Sequence, residues 1–232
     1  MRDVDRAVIG ISSLADPVRR QLYRFVCAQT EPVSRDQAAA AVGIARHQAK
    51  FHLDRLEAEG LLQSDYVRLT GRSGPGAGRP AKRYRRAGSE LSVTIPPREY
   101  DLAGRIMAEA ITDHAASATP ISEALTKAAA AHGRAIGTES SQMDSATDVL
   151  DRCLTLLAAH GYEPRHLDRT VLLTNCPFHS LAQSHTQLVC QMNHALLSAF
   201  ARSVAPDLFE ARLDPGENRC CVTLTDVSGS AH

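Results

Sequence analysis

The chain of 232 residues is 44% apolar and only 4% aromatic, and its 26 Lys/Arg are matched by 26 Asp/Glu. It has room for two small domains; it holds no run of about 18 apolar residues able to span a membrane, and Met1-Arg2-Asp3-Val4-Asp5 lacks the charged-then-apolar pattern of a leader, so a cytoplasmic protein is expected. The neutral total hides a division: residues 1–98 carry 17 Lys/Arg against 10 Asp/Glu and residues 99–232 carry 9 against 16, a basic half suited to polyanions followed by an acidic half that is not.

Ser12 to Thr30 is predicted as the first helix. Asp16-Pro17 stands near its start, where the missing N–H of proline costs little. Leu22, Phe25 and Val26 repeat at helical spacing to give one apolar face, and Cys27 adjoins it as a small core residue. Ser34 is the expected N-cap of a second helix, with Gln37 completing a capping box, and Gly43-Ile44 make the turn after Val42. The third helix runs from Ala45 to Glu59 and closes on Gly60-Leu61-Leu62. Its periodicity buries Ala49, Leu53 and Leu56, turns His47, Phe51 and Asp54 outward and leaves Arg46, Gln48 and Lys50 on the flanks; His52 falls nearer the buried side. Tyr66 to Ala87 is predicted as a wing of two strands. It holds Arg68, Arg72, Arg79, Lys82, Arg83, Arg85 and Arg86 with no acid, interrupted by Gly71, Gly74, Pro75, Gly76, Gly78 and Pro80.

Polar helix, glycine turn, basic helix and basic hairpin are, in that order, the parts of a winged helix-turn-helix, which lays one helix in the DNA major groove. Gln and Arg read adenine and guanine bidentately, and Lys neutralises phosphate. Arg46, His47, Gln48 and Lys50 are therefore the candidate groove residues, and Arg72, Arg79 and Lys82 the candidate backbone contacts on double-stranded DNA. Asp16-Pro17 with Arg19-Arg20, Gly43-Ile44 through His52-Leu53 and Leu56, Gly60-Leu61, Gly78-Arg79-Pro80 and Tyr84 together resemble the DNA-binding half of bacterial ArsR-type winged-helix regulators, nearest to the branch of the Suf repressors of iron–sulfur cluster assembly.

Val93-Thr94-Ile95-Pro96-Pro97 is expected to be a stiff linker. Glu99 to Ala118 then reads helical, with Leu102, Ile106 and Ala110 on one line; Pro120 interrupts, and Ile121 to Ile136 resumes. The resemblance implies that these helices pair two subunits. Ala146 to His160 is the next helix, ended by Gly161, with Cys153 in its apolar face. Thr170 to Thr174 is an apolar strand, Leu181 to Val204 is mostly helical, and Phe209 to Leu213 with Cys221 to Thr225 form a hairpin around Asp214-Pro215-Gly216-Glu217-Asn218.

In a cytoplasmic setting the six cysteines read as core residues, metal ligands or redox thiols rather than disulfides. Cys176, Cys190, Cys220 and Cys221 come from a strand end, a helix and a distant strand, the kind of donor set a soft-metal site assembles by folding. A straight helix from Leu181 would carry Cys190 about 13 Å along its axis, too far from Cys176, so a break is expected at Ser184-His185-Thr186. Cys220 and Cys221, adjacent on a strand, should face opposite ways, which leaves one of the two as an easy ligand. His179 and His185 are candidate further ligands. The cysteine interval is similar to that of the Suf-repressor sensor domain, and the resemblance implies an iron–sulfur cluster; structural zinc or a thiol redox switch is the alternative.

The expected architecture is mainly α with α+β. Residues 1–98 form a winged helix-turn-helix DNA-binding domain, 99–140 a helical dimerisation region and 141–232 a small C-terminal α+β sensor domain. The expected function is a homodimeric transcriptional regulator, most simply a repressor, on a palindromic operator. A cysteine or metal enzyme fused to a DNA-binding module is the remaining possibility. Cys176 near His179 is its one nucleophile-like pair, and no Ser/His/Asp order or phosphate loop accompanies it.

Overall fold

The computed structural model describes residues 2–67, 80–88, 90–143 and 147–227, and these divide into two compact units at Val93/Thr94. Arg68, Arg72 and Arg79, with the glycines of the predicted wing tip, lie outside the described residues.

In the first unit the opening helix differs from the sequence reading. Instead of one helix from Ser12 there are two, α1 (Arg2–Ser13) and α2 (Pro17–Cys27). The reason is Asp16-Pro17: proline disfavours a helical residue before it, and the extended Asp16 accepts hydrogen bonds from the Val18 and Arg19 N–H groups at 2.9 and 3.0 Å as an N-cap. A two-residue strand, β1 (Val33–Ser34), precedes α3 (Arg35–Val42). The capping box is present: Ser34 N–H donates to Gln37 Oε1 (2.8 Å), and Gln37 N–H to Ser34 Oγ (3.3 Å). Gly43 takes φ +73°, the left-handed conformation that ends α3 and turns the chain into α4 (Arg46–Ala58). Leu22, Val26, Ala38, Ala49, Leu53, Leu56 and Tyr84 form the core, so the predicted inner face of α4 is the inner face. The wing strands β2 (Leu62–Val67) and β3 (Ala81–Arg86) pair antiparallel with Ser64 opposite Tyr84, and β1 adds to the other edge of β3.

The second unit mixes helices with a four-stranded sheet. Its elements are α5 (Tyr100–Ser117), α6 (Ile121–Thr138), α7 (Val149–Ala159), β4 (Pro164–Leu167), β5 (Thr170–Leu173), α8 (His179–Ser184), α9 (Thr186–Val204), β6 (Phe209–Leu213) and β7 (Val222–Asp226). The strands lie in the order β4-β5-β7-β6, all neighbours antiparallel. The strand β4 is new relative to the sequence reading. One core joins Leu102 and Ile106 of α5, Ala129 of α6, Cys153 and Leu157 of α7, Leu196 and Phe200 of α9, and Val171, Leu173, Val222 and Leu224 of the sheet. The line Leu102, Ile106, Ala110, which the sequence reading offers to a second subunit, is thus spent inside its own unit; Ile111 and Ile121 remain exposed on the same two helices. Helices α6 and α9 approach so closely that a Cβ on Gly133 would stand 2.0 Å from the Leu196 carbonyl oxygen. No helix among the described residues is long and apolar enough to cross a membrane.

Candidate functional site

Helix α4 exposes its first two turns. Arg46, His47, Gln48, Lys50 and Phe51 are all solvent-facing, while Ala49 between them is fully buried. Arg46, Gln48 and Lys50 are already engaged within the protein. Arg46 Nε sits 2.5 Å from Asp36 Oδ1 of α3, and Lys50 Nζ 3.0 Å from Asp54 Oδ2 one turn on. Gln48 Oε1 accepts from the Ala45 N–H at 3.2 Å, holding the first turn where Ala45 has no capping side chain of its own. These are exposed pairs of the kind worth well under 1 kcal/mol each, so a phosphate or base edge can displace them.

The sequence reading places Lys82 on the DNA backbone; the structure turns it onto α4 instead. Its ammonium is held by Asp54 Oδ1 (2.8 Å) and Glu57 Oε2 (2.5 Å), with side-chain exposure of only 25%, and it lies 5.0 Å from the Tyr84 ring centroid. The buried Tyr84 donates its hydroxyl proton to the same Asp54 oxygen at 2.7 Å. Burial alone would raise the Asp54 carboxyl, but hydrogen bonds from Lys82, Tyr84 and Lys50 outweigh it and hold the group down at about 2. Burial opposes the charge on Lys82 too, and its bonds to Asp54 and Glu57 reverse that and raise it. Asp54, which the sequence turns outward, thus ties the wing to α4. Nothing local in the sequence signals a pair 28 residues apart. Arg83 is likewise bound to Asp65 across the wing, bidentate at 3.0 Å, which leaves Arg85 and Arg86 as the exposed cations of β3.

In the second unit the four singled-out cysteines come together. Cys176 lies in the loop after β5, Cys190 in the first turns of α9, and Cys220 and Cys221 immediately before β7. The break that brings Cys190 in range falls at His185, between α8 and α9, as the spacing requires. Because β7 begins only at Val222, the alternation of a strand does not govern Cys220 and Cys221, and both take part: Cys176 neighbours Cys220, Cys220 neighbours Cys221, and Cys221 neighbours Cys190. Hydrogen bonding to Cys220, then burial, push the Cys176 thiol far up. Contact with Cys176 lowers Cys220, but Cys221 and burial outweigh it and leave that thiol at about 12. Burial raises Cys190. Cys190 also feels Cys176 and Cys220, and no group of three or more His, Cys, Asp or Glu among the described residues is arranged to grip a metal ion. As donors they suit a soft metal group, which would have to displace their protons. His179 and His185 are both exposed; His179 meets Cys176 backbone to backbone, its N–H donating to the Cys176 carbonyl at 3.1 Å.

Residues that sequence reasoning missed surround the thiols. Asn193 Nδ2 donates to Cys220 Sγ at 3.1 Å, and the fully buried Tyr162 donates to Asn193 Oδ1 at 2.6 Å. Arg98 Nη1 donates to Asn175 Oδ1 (2.5 Å) and to the Cys176 carbonyl (3.1 Å), and Asn175 Nδ2 donates to the carbonyls of Pro97 (3.0 Å) and Gly161 (2.5 Å). The Glu99 N–H adds a bond to the Pro177 carbonyl at 3.1 Å. Residues 97–99, the stretch that follows the first unit, are therefore fastened to the loop that carries Cys176.

Residues 14–64 match a family described as a helix-turn-helix domain, one that includes ArsR-type regulators; the match does not single out the Suf-repressor branch. No curated protein and no solved structure matches the chain. The matched span covers α2, α3 and α4 and ends inside β2. The chain carries a helix-turn-helix domain, which suggests a DNA-binding transcription regulator.

Proposed function

We propose that this chain is a cytoplasmic, homodimeric repressor that reads a palindromic operator with α4 and senses through an iron–sulfur cluster held by Cys176, Cys190 and Cys220 or Cys221. The observation that carries the sensing half is the meeting of four thiols from three separated segments. Cys176 beside Cys220 and Cys221 beside Cys190 supply the thiolates such a cluster needs, and structural zinc is the alternative. When bound, such a cluster supplies an oxidant- and iron-responsive link between the segments. The protein contributes the link to DNA: Arg98 and Asn175 tie the Cys176 loop to residues 97–99, so a shift of that loop pulls on the chain leading to the first unit. The task is energetically small, since a tenfold change in DNA affinity needs about 1.4 kcal/mol of coupling. No catalytic step belongs to this reading.

The test is protein purified without air, assayed for visible absorption, iron and acid-labile sulfide, as wild type and as Cys176→Ser and Cys190→Ser. Coloured wild type with stoichiometric iron and sulfide, lost in both variants, is the expected result. Colourless protein with bound zinc would replace the cluster by the structural-metal reading. Full iron in both variants would remove the site altogether.

A further inference from the structure

Phe51 is out of place as a core residue. It lies on α4 with 65% of its surface exposed, whereas Leu53 and Leu56 of the same helix are fully buried. Phenylalanine is a middling helix former, so neither local propensity nor core packing accounts for it there. Its ring has a firm base: it stands edge-on to His52, centroids 5.3 Å apart and planes at 72°, and His52 is itself half-buried. Around it on the same exposed turns are Arg46 and Lys50, paired at the surface with Asp36 and Asp54; such exposed pairs are weak, so both cations stay available to a polyanion, a setting unlike an apolar protein surface. Among the groups that B-DNA displays in its major groove, the apolar one is the C5-methyl of thymine.

We infer that Phe51 is a thymine reader: its ring packs on one thymine methyl in each half-site, next to the base edges reached by Arg46 and Gln48. The inference rests on the assignment of α4 to the major groove and adds to it a specificity residue that makes no hydrogen bond. It predicts that part of the sequence preference survives the loss of every polar reader on the helix.

The experiment starts with selection of a preferred duplex from a randomised pool by the wild-type chain. That duplex is then remade with each thymine replaced in turn by uracil, which keeps the pairing edges and lacks only the methyl group. Each duplex is titrated at one salt concentration with wild type and Phe51→Ala. One thymine per half-site should be found where uracil weakens wild type by about fourfold, the value of one buried methyl group, and leaves Phe51→Ala unaffected. Because the side chain is exposed, the variant should melt with the wild type, which a circular-dichroism scan checks. Equal responses of wild type and variant to every uracil overturn the inference while leaving DNA reading intact. So does a Phe51→Ala chain that binds every duplex normally but changes its association state, since the ring would then be covered by a second copy. Failure to select any duplex overturns instead the reading on which the inference stands.

Discussion

Replacing Asp54 by Asn removes the negative charge at the contact of α4 with the wing. Three donors lose a charged acceptor: Tyr84 Oη at 2.7 Å, Lys82 Nζ at 2.8 Å and Lys50 Nζ at 3.0 Å. Lys82 keeps Glu57, and Lys50, which loses its partner, is exposed to water. The fall of the carboxyl from 3.8 to about 2 corresponds to at most about 2.4 kcal/mol. Asp54 is 33% exposed, and water screening reduces this to about 1 kcal/mol. For a unit of this size that lowers the melting temperature by about 4–8 °C. The sign with pH follows from the direction of the shift. A carboxyl that titrates lower in the folded than in the unfolded chain stabilises fully above the unfolded value of 3.8, and the contribution is lost as pH falls through about 2. Urea titrations of wild type and Asp54→Asn should therefore differ at neutral pH and converge towards pH 2. Equal stability at neutral pH, or a difference undiminished in acid, would show that the Asp54 charge does not hold the wing on α4.

Other outcomes follow from the same geometry. Gly133→Ala should destabilise the second unit by about 1–3 kcal/mol, because the new methyl meets the α9 backbone. Gly104→Ala in α5, with nothing described within 4 Å of its Cβ position, should be neutral or stabilising by up to about 1 kcal/mol; thermal melts of the two variants decide it, and equal effects contradict the packing account. Gln48→Ala should change the selected DNA sequence and also cost a few tenths of a kcal/mol as the Ala45 N–H loses its acceptor, readable by repeating the selection and the melt. Light scattering at micromolar concentration should return a dimer, and a monomer both with and without DNA would defeat the operator symmetry proposed here.

What could be read in the sequence was local or set by spacing. The Ser34–Gln37 capping box, the Gly43 turn and the inner face Ala49, Leu53, Leu56 are short-range patterns, and each folds as its residues dictate. The break at His185 was legible because Cys190 had to come back towards Cys176. The failures have equally specific causes. Asp16-Pro17 caps α2 and so ends whatever precedes it, yet the same pair also fits inside the start of one longer helix. The strands β1 and β4, of two and four residues, are too short to show a period. Lys82 looks like one more cation in a basic wing, because its partners Asp54 and Glu57 are supplied by another element. Strand alternation does not apply to Cys220 and Cys221, because the strand begins only at Val222. Arg98 and Asn175, 77 residues apart, show themselves only when the chain is folded.

In the proposed switch the thiols of the second unit govern DNA reading by the first. It is tested most directly by anaerobic titration of one selected duplex with wild type and with Cys176→Ser. The affinities should differ by about tenfold or more, for about 1.4 kcal/mol of coupling, with both proteins folded. Identical binding curves would contradict it and leave a helix-turn-helix protein whose cysteines serve only its own structure.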